Sequence, residues 1–353
     1  MHFGQFNLLG NRTRGIQAQS LYDDAVEQVK AAETAGFEIA WFAEHHFSNY
    51  CAIPSPLMMV ARLAGETKRI KLATGVVVAP LYNPVRLVSE IGMADAMTHG
   101  RLVLGVGSGY QPYEFERFGE DLADSVDKTL EFLEILELAF TRDTFSFHGR
   151  HYRLPETHIA SRPMRGLPDI WVAGDNARLQ GHAARKGYPV MVTPRHATVA
   201  QLIEVRKRLE TIATEAGADA RRVAIAPLRH VCVTESRAEA AGFVDNVRHQ
   251  IRLSQSLRYR EEILEGSMLI EKPYAGEPPI EDLAKSLPVG DAETVAERLS
   301  AIITAAQPCH MLLQFQAGAS DQKTALRSIE RFGSAVRPLI EKAVGPLEQI
   351  GRK

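Results

Sequence analysis

Cysteine is scarce. Cys51, Cys232 and Cys309 are scattered and odd in number, which argues against a disulfide framework and for a reducing compartment. Charge of one sign is missing too: the net charge is −2 and the pI about 6.7. With no basic block or acidic tail, nothing invites nucleic acid or an anionic membrane. No apolar run approaches the roughly 20 residues needed to span a bilayer. The opening Met1-His2-Phe3-Gly4-Gln5-Phe6-Asn7 lacks the basic flank and apolar core of a signal peptide. A cytoplasmic protein is expected. No Glu-x-x-His or Cys-x-x-Cys spacing accompanies the single His-His pair, so a metal site would lack its remaining ligands. What remains is an ordinary soluble composition, 45% hydrophobic and 24% charged over 353 residues, suited to a large core.

Strand-like and helical stretches alternate along the chain. Strands are predicted over 3–8, 39–47, 69–80, 101–106, 169–173, 189–192, 223–233 (interrupted at Pro227) and 310–315. Helices are predicted from Ser20 to Gly36, over 56–64, 84–97, 122–140, 177–186, 198–216 and 238–253, and from Asp321 onward. Eight strands with helices between them fit a closed (β/α)8 barrel better than an open doubly wound sheet, although periodicity alone allows both. A single domain over 1–353 is expected, with insertions after the fourth and seventh strands. Around Phe145-Ser146-Phe147-His148 an aromatic alternation reads as a small hairpin, and 258–288, rich in charge, Gly and Pro, reads as a mobile lid.

Candidate chemistry gathers at strand ends. The run Ile39-Ala40-Trp41-Phe42-Ala43 stops in Glu44-His45-His46-Phe47, and the carboxyl ends of barrel strands are where sites are built. Strand side chains alternate, so one of His45 and His46 faces a pocket while the other packs outward. Gly105-Val106-Gly107-Ser108-Gly109-Tyr110 lacks dinucleotide-fold spacing; it is either a tight turn or a backbone cradle for phosphate. Gly174-Asp175-Asn176 opens a helix whose free N–H groups suit an anion. Arg178 either adds charge there or is a solvated helix residue. Thr74-Gly75-Val76 places a glycine inside a strand, a hint of a bulge or a close ligand.

Taken in order, Glu44-His45-His46-Phe47, Leu72-Ala73-Thr74-Gly75-Val76-Val77, Pro80, Pro84-Val85-Arg86, Gly100-Arg101-Leu102 and Gly105-Val106-Gly107-Ser108-Gly109 resemble the bacterial luciferase-like family of flavin-dependent monooxygenases. Trp171-Val172-Ala173-Gly174 and Leu312-Leu313-Gln314-Phe315 extend the likeness over nearly the whole chain.

The resemblance implies a (β/α)8 barrel that takes reduced FMN from a separate NAD(P)H-dependent flavin reductase. Oxygen would add to the flavin as a C4a-peroxide and then oxygenate a small, mostly apolar organic substrate. By the same resemblance His45 stands beside the flavin as catalytic residue. A cis peptide is expected at Gly75–Val76 under the ring. Thr74, Gly75, Val76, Gly107, Ser108, Gly109, Tyr110, Ala173, Gly174, Asp175 and Arg178 are the expected cofactor contacts. Phe6, Leu8, Trp41 and Phe47, with Tyr110, are candidates for the substrate pocket. The lid would keep water off the intermediate, and a homodimer through the early helices is implied.

Two positions depart from the luciferases proper, where Gly107 would be a reactive cysteine and Ser108 a phosphate-binding arginine. A relative that does not emit light is therefore expected. The alternatives are a deazaflavin-dependent dehydrogenase on the same barrel and a flavin-binding protein without turnover.

Overall fold

In the computed structural model, which describes residues 1–193 and 197–351, eight parallel strands close into a barrel. They are β1 (His2–Asn7), β2 (Ile39–Phe42), β3 (Lys71–Val78), β4 (Leu102–Gly107), β5 (Asp169–Ala173), β6 (Val190–Val192), β7 (Ile225–His230) and β8 (His310–Gln314). Each strand pairs with its sequence neighbours, and β8 returns to β1 with His2 opposite His310 and Gln5 opposite Leu313. That last ladder rules out the open sheet.

The outer helices are α1 (Ala18–Thr34), α2 (Pro56–Ala64), α3 (Pro84–Met97), α4 (Pro112–Phe118), α5 (Ser125–Thr141) and α6 (Ala177–Lys186). They continue as α7 (Val199–Glu215), α8 (Arg237–Arg258), α9 (Ile280–Ser286), α10 (Ala292–Ala306), α11 (Gln322–Arg331) and α12 (Arg337–Val344). Side-chain caps set several starts: the Asn83 side chain accepts the Arg86 N–H, Asn176 that of Arg178, and Asp291 that of Thr294. Among the described residues no helix is long and apolar enough to cross a membrane.

Three expectations need correction. The first helix begins at Ala18, not Ser20, because the Ser20 hydroxyl donates back to the Gln17 carbonyl at 2.8 Å rather than capping. Pro227 does not interrupt its strand. It lies opposite Val192, the last residue of β6, where a missing N–H costs little. The break falls at Val231, after which Cys232–Val233 pairs in parallel with Val289–Gly290. Finally, α4, α9 and α10 occupy stretches that had no predicted helix.

The barrel interior is filled by aromatic groups. The Trp41 ring lies 5.0 Å from that of Trp171, and its indole N–H donates to His310 Nε2 at 3.1 Å. Gly4 makes room for them, since a Cβ there would come within 2.6 Å of the Trp41 nitrogen. Burial pushes His310 down to about 3, so it is a neutral acceptor.

Both insertions are anchored by carboxylates. The hairpin Phe145–His148 with Arg153–Thr157 is held on α5 by Glu131, which accepts the N–H groups of Arg150, His151 and Tyr152. After α8 a strap, residues 259–279, crosses the loop that follows β2. There the Asn49 N–H donates to the Ser267 carbonyl at 2.8 Å, and the Leu269 N–H donates to Asn49 Oδ1 at 2.9 Å. Glu271 gathers Arg12 at 2.9 Å, Arg252 at 3.0 Å and His249 Nδ1 at 2.7 Å.

Candidate active site

Beyond the end of β2 the alternation of the strand persists. Trp41, Ala43 and His45 share the inner face, and Glu44 and His46 the outer. His46 Nε2 lies 3.1 Å from Glu44 Oε1, and its ring packs 4.7 Å from Phe118. Glu44 also accepts the Val78 N–H at 3.1 Å and the Tyr82 hydroxyl at 2.9 Å, tying the ends of β2 and β3 together. Burial raises its carboxyl, against the pull of those bonds.

His45 meets a different set of partners. Its Nδ1 is 3.1 Å from Glu114 Oε1 and 3.0 Å from the Gln111 side-chain amide, and its ring lies 5.0 Å from Tyr50 and 5.5 Å from Tyr110. Glu114 Oε1 also accepts the His46 N–H at 2.7 Å, so one carboxylate fixes both the backbone and the ring. An ionised carboxylate only accepts, which makes Nδ1 the donor and leaves Nε2 as the basic nitrogen. The Gln111 side-chain nitrogen that approaches the ring also donates to the Tyr110 hydroxyl at 3.1 Å, and that hydroxyl donates on to Tyr50 at 3.3 Å. Glu114 Oε2 is buried and accepts no bond from a described residue. Neither Gln111 nor Glu114 was among the expected site residues. The proline at Pro112, placed to start α4 and fold the chain back over the mouth, was the available signal.

The two glycine-rich turns come together. Ala173 pairs with Gly107 across β4 and β5, and a Cβ built on Gly174 would lie 3.7 Å from Ser108 Oγ. Gly174 has φ 144° and Gly109 φ 74°, conformations that favour glycine. Gly109 is further confined because a Cβ would meet the Phe115 ring at 2.6 Å. The Gly75–Val76 peptide is cis, as the resemblance implied. Gly75 faces Phe6, whose ring lies 3.1 Å from where a Cβ would stand.

Other predicted residues are placed otherwise. The Thr74 hydroxyl is committed to β4, donating to the Gly105 carbonyl at 2.8 Å and accepting its N–H at 2.9 Å. Arg178 is tied to Asp127 of α5 at 2.6 Å and lies mostly in solvent. Phe47, at φ 65° and 45% exposed, turns outward onto Phe118 and His46, so it is not gathered with the pocket candidates. Trp41 is wholly buried beneath the mouth, and Leu8 is buried with Phe6 at the end of β1. Asp175 is exposed and 3.8 Å from Arg258, whose guanidinium lies 4.6 Å from the centre of the Tyr110 ring.

Residues 1–306 match the model of the luciferase-like monooxygenases. The chain belongs to the luciferase-like monooxygenase family. Within it, the chain is 38% identical over 350 residues to an uncharacterized protein, y4vJ, of Sinorhizobium fredii, covering 99% of this chain and 100% of the relative. It is 30% identical over 292 residues, 80% of each chain, to the oxygenase component of the flavin-dependent trigonelline monooxygenase of Acinetobacter baylyi. Solved structures share the fold of this family member. Monooxygenase RslO1 from Streptomyces bottropensis has a TM-score of 0.81 at 21% identity, covering 96% of this chain and 99% of that one. The oxygenating constituent of 3,6-diketocamphane monooxygenase from Pseudomonas putida, in complex with FMN, gives 0.77 at 21%, covering 96% and 98%. An F420-dependent secondary alcohol dehydrogenase gives 0.74 at 18%, also covering 96% and 98%. The same fold is therefore found in an FMN-bound oxygenating constituent and in an F420-dependent dehydrogenase.

Proposed function

We propose that this protein is the oxygenase of a two-component system. It would bind reduced FMN at the barrel mouth, receive it from a separate NAD(P)H-dependent flavin reductase, and use O2 to oxygenate a small, mostly apolar organic molecule. The observation that carries this reading is His45: one imidazole at the mouth, its Nδ1 held by a buried carboxylate and its Nε2 left as the base. The residues around it fit a flavin mononucleotide. Gly174 sits beside Ser108, where a Cβ would stand 3.7 Å from the Ser108 hydroxyl, in the kind of glycine turn whose backbone N–H groups suit a phosphate, and Gly75 of β3 lies against Phe6 and Trp41.

Reduced flavin bound there would supply the electrons that activate oxygen. His45 would hold or move a proton at Nε2, with Glu114 keeping the ring in one tautomer and orientation. Tyr110 and Tyr50 wall the site, and the strap over Asn49 excludes water. The exposed Met58 of α2 and Met93 and Met97 of α3 supply an apolar face for a homodimer through the early helices. The chain is read as cytoplasmic.

The test is anaerobic titration with reduced FMN, followed by rapid mixing with oxygenated buffer while the flavin spectrum is recorded. A protein-bound species distinct from both reduced and oxidised FMN, lasting longer than free reduced FMN survives in oxygen, is the expected outcome. Binding of reduced F420 with no response to oxygen would replace this reading with a deazaflavin-dependent dehydrogenase. Tight FMN binding without oxygen consumption under any substrate would make it a storage protein.

A further inference from the structure

The candidate phosphate cradle at the Ser108 and Gly174 turns carries no positive charge of its own, and Asp175 adds a negative one. A phosphate near neutral pH carries up to two negative charges, and backbone N–H groups at one helix start offset only a part of that. Arg178 follows the Gly174 turn in the first turn of α6, and Arg258 reaches the same corner through Asp175 and Tyr110. Arg178 is committed: its Nη1 is 2.6 Å from Asp127, a carboxylate that also takes Arg150 at 3.3 Å. Arg258 is differently placed. Its approach to Asp175, 3.8 Å, is too long for a hydrogen bond. Its guanidinium carbon lies 4.6 Å from the centre of the Tyr110 ring, a cation–π contact that needs none of its N–H donors. Arg258 is also the last residue of α8, the point where the strap begins.

We propose that Arg258 is the cation that takes the phosphate of the cofactor, so that phosphate capture and seating of the strap are one event. This deepens the flavin reading above and rests on it. The guanidinium replaces, from the far side of the barrel mouth, the charge that Ser108 lacks. Asp175 keeps it near the cradle, and the Tyr110 face sets its plane for two-point bonding to phosphate oxygens. Because residues 259–279 follow directly, a ligand with a phosphate fixes the residue from which the strap departs, and a ligand without one does not.

Riboflavin, the same ring system lacking the phosphate, makes the experiment selective. Dissociation constants for chemically reduced FMN and reduced riboflavin are measured anaerobically with the full chain, for wild type, Arg258→Gln, Arg258→Lys and Arg178→Gln, with thermal unfolding as the folding control. Wild type is expected to prefer FMN by about tenfold or more, as suits a charge-assisted phosphate contact. Arg258→Gln should lose most of that preference while its riboflavin affinity holds, Arg258→Lys should keep part of it, and Arg178→Gln all of it. In parallel, FMN should protect the strap from limited proteolysis in wild type, riboflavin should not, and Arg258→Gln should abolish the difference. An unchanged FMN-to-riboflavin ratio in Arg258→Gln overturns the inference and leaves the flavin reading standing. So does a preference lost in Arg178→Gln instead, and, should Arg258→Gln not fold, a full preference in Arg258→Lys combined with equal protection by both ligands. Wild type that binds neither flavin overturns both.

Discussion

The two ends of the barrel are built on opposite terms. At the floor, where strands begin, long polar side chains are fully employed. Arg101 makes five hydrogen bonds, to Thr98, Ile70, Ala64 and twice to Thr67. Arg206 caps the Ala306, Gln307 and Val223 carbonyls, and Glu33 collects the N–H groups of Lys68, Arg69 and Ile70. At the mouth, Glu114 keeps a buried oxygen without a described protein partner, and the guanidinium of Arg258 stacks rather than bonds. Buried polar atoms normally find partners. Arg101, Arg206 and Glu33, heavily bonded at one end, and Glu114 and Arg258, short of hydrogen bonds at the other, contrast groups that hold the barrel with groups at the candidate site.

The sharpest way to break this contrast is His45→Ala. It should leave the unfolding midpoint within a few degrees of wild type and lower coupled oxygenation by about 10²–10⁴-fold, the range for a lost general acid–base; full product yield in the variant would remove His45 from the mechanism. At the other end, Arg101→Ala should cost about 2–3 kcal/mol of stability by stranding partly buried carbonyls. Its affinity for reduced flavin should not move, which denaturant unfolding beside a binding titration will decide. Glu114→Gln should be close to neutral for stability yet slow turnover about tenfold and displace the pH profile of kcat, because the carboxylate no longer sets the tautomer of His45. Equal losses of stability and rate would demote Glu114 to a structural group.

The smallest effect concerns the strap and pH. Burial works to raise Glu271, but the bond and charge of His249, with Arg252 and Arg12, outweigh it and hold the carboxyl below its ordinary 4.5. Burial lowers His249 below its ordinary 6.5, with the bond to Glu271 working against it. Both folded values are depressed, so the strap-released state binds more protons and acid favours release. Anchoring should be complete above about pH 6.5, weaken below it as His249 charges on release, and weaken again below 4.5 as Glu271 takes a proton. Hydrogen exchange over 261–277, corrected for intrinsic rates, should show this; protection unchanged from pH 8 to 4 would contradict it.

Much of the frame was legible from periodicity, because barrel strands are short apolar runs and their helices carry plain caps. The limits of α2, α3 and α6 agree with the apolar spacing and with Pro56, Pro84 and Asn176 at their starts. The helix α10 was overlooked although Asp291 caps it and Val295, Leu299, Ile302 and Ile303 line one face; the neighbouring Gly- and Pro-rich segment masked its start. At the site, strand alternation said that His45 and His46 face opposite ways, and the resemblance, not the alternation, singled out His45. The partners of His45 were not legible, since Glu114 lies 69 positions away and reaches the ring only because α4 folds back over the mouth. The same limit applies to Phe47 and Arg178. A positive φ turned one away, and Asp127, far off in sequence, drew the other aside.

The chain contains only two tryptophans, Trp41 and Trp171, and their rings sit 5.0 Å apart, with Trp41 packed against Gly75. All indole emission from this protein therefore originates at one spot, with no distant fluorophore to dilute it. A flavin bound at the proposed site would lie within energy-transfer range of the pair and is expected to quench this emission. The molecule thus carries its own optical gauge of cofactor occupancy, readable without label or product assay.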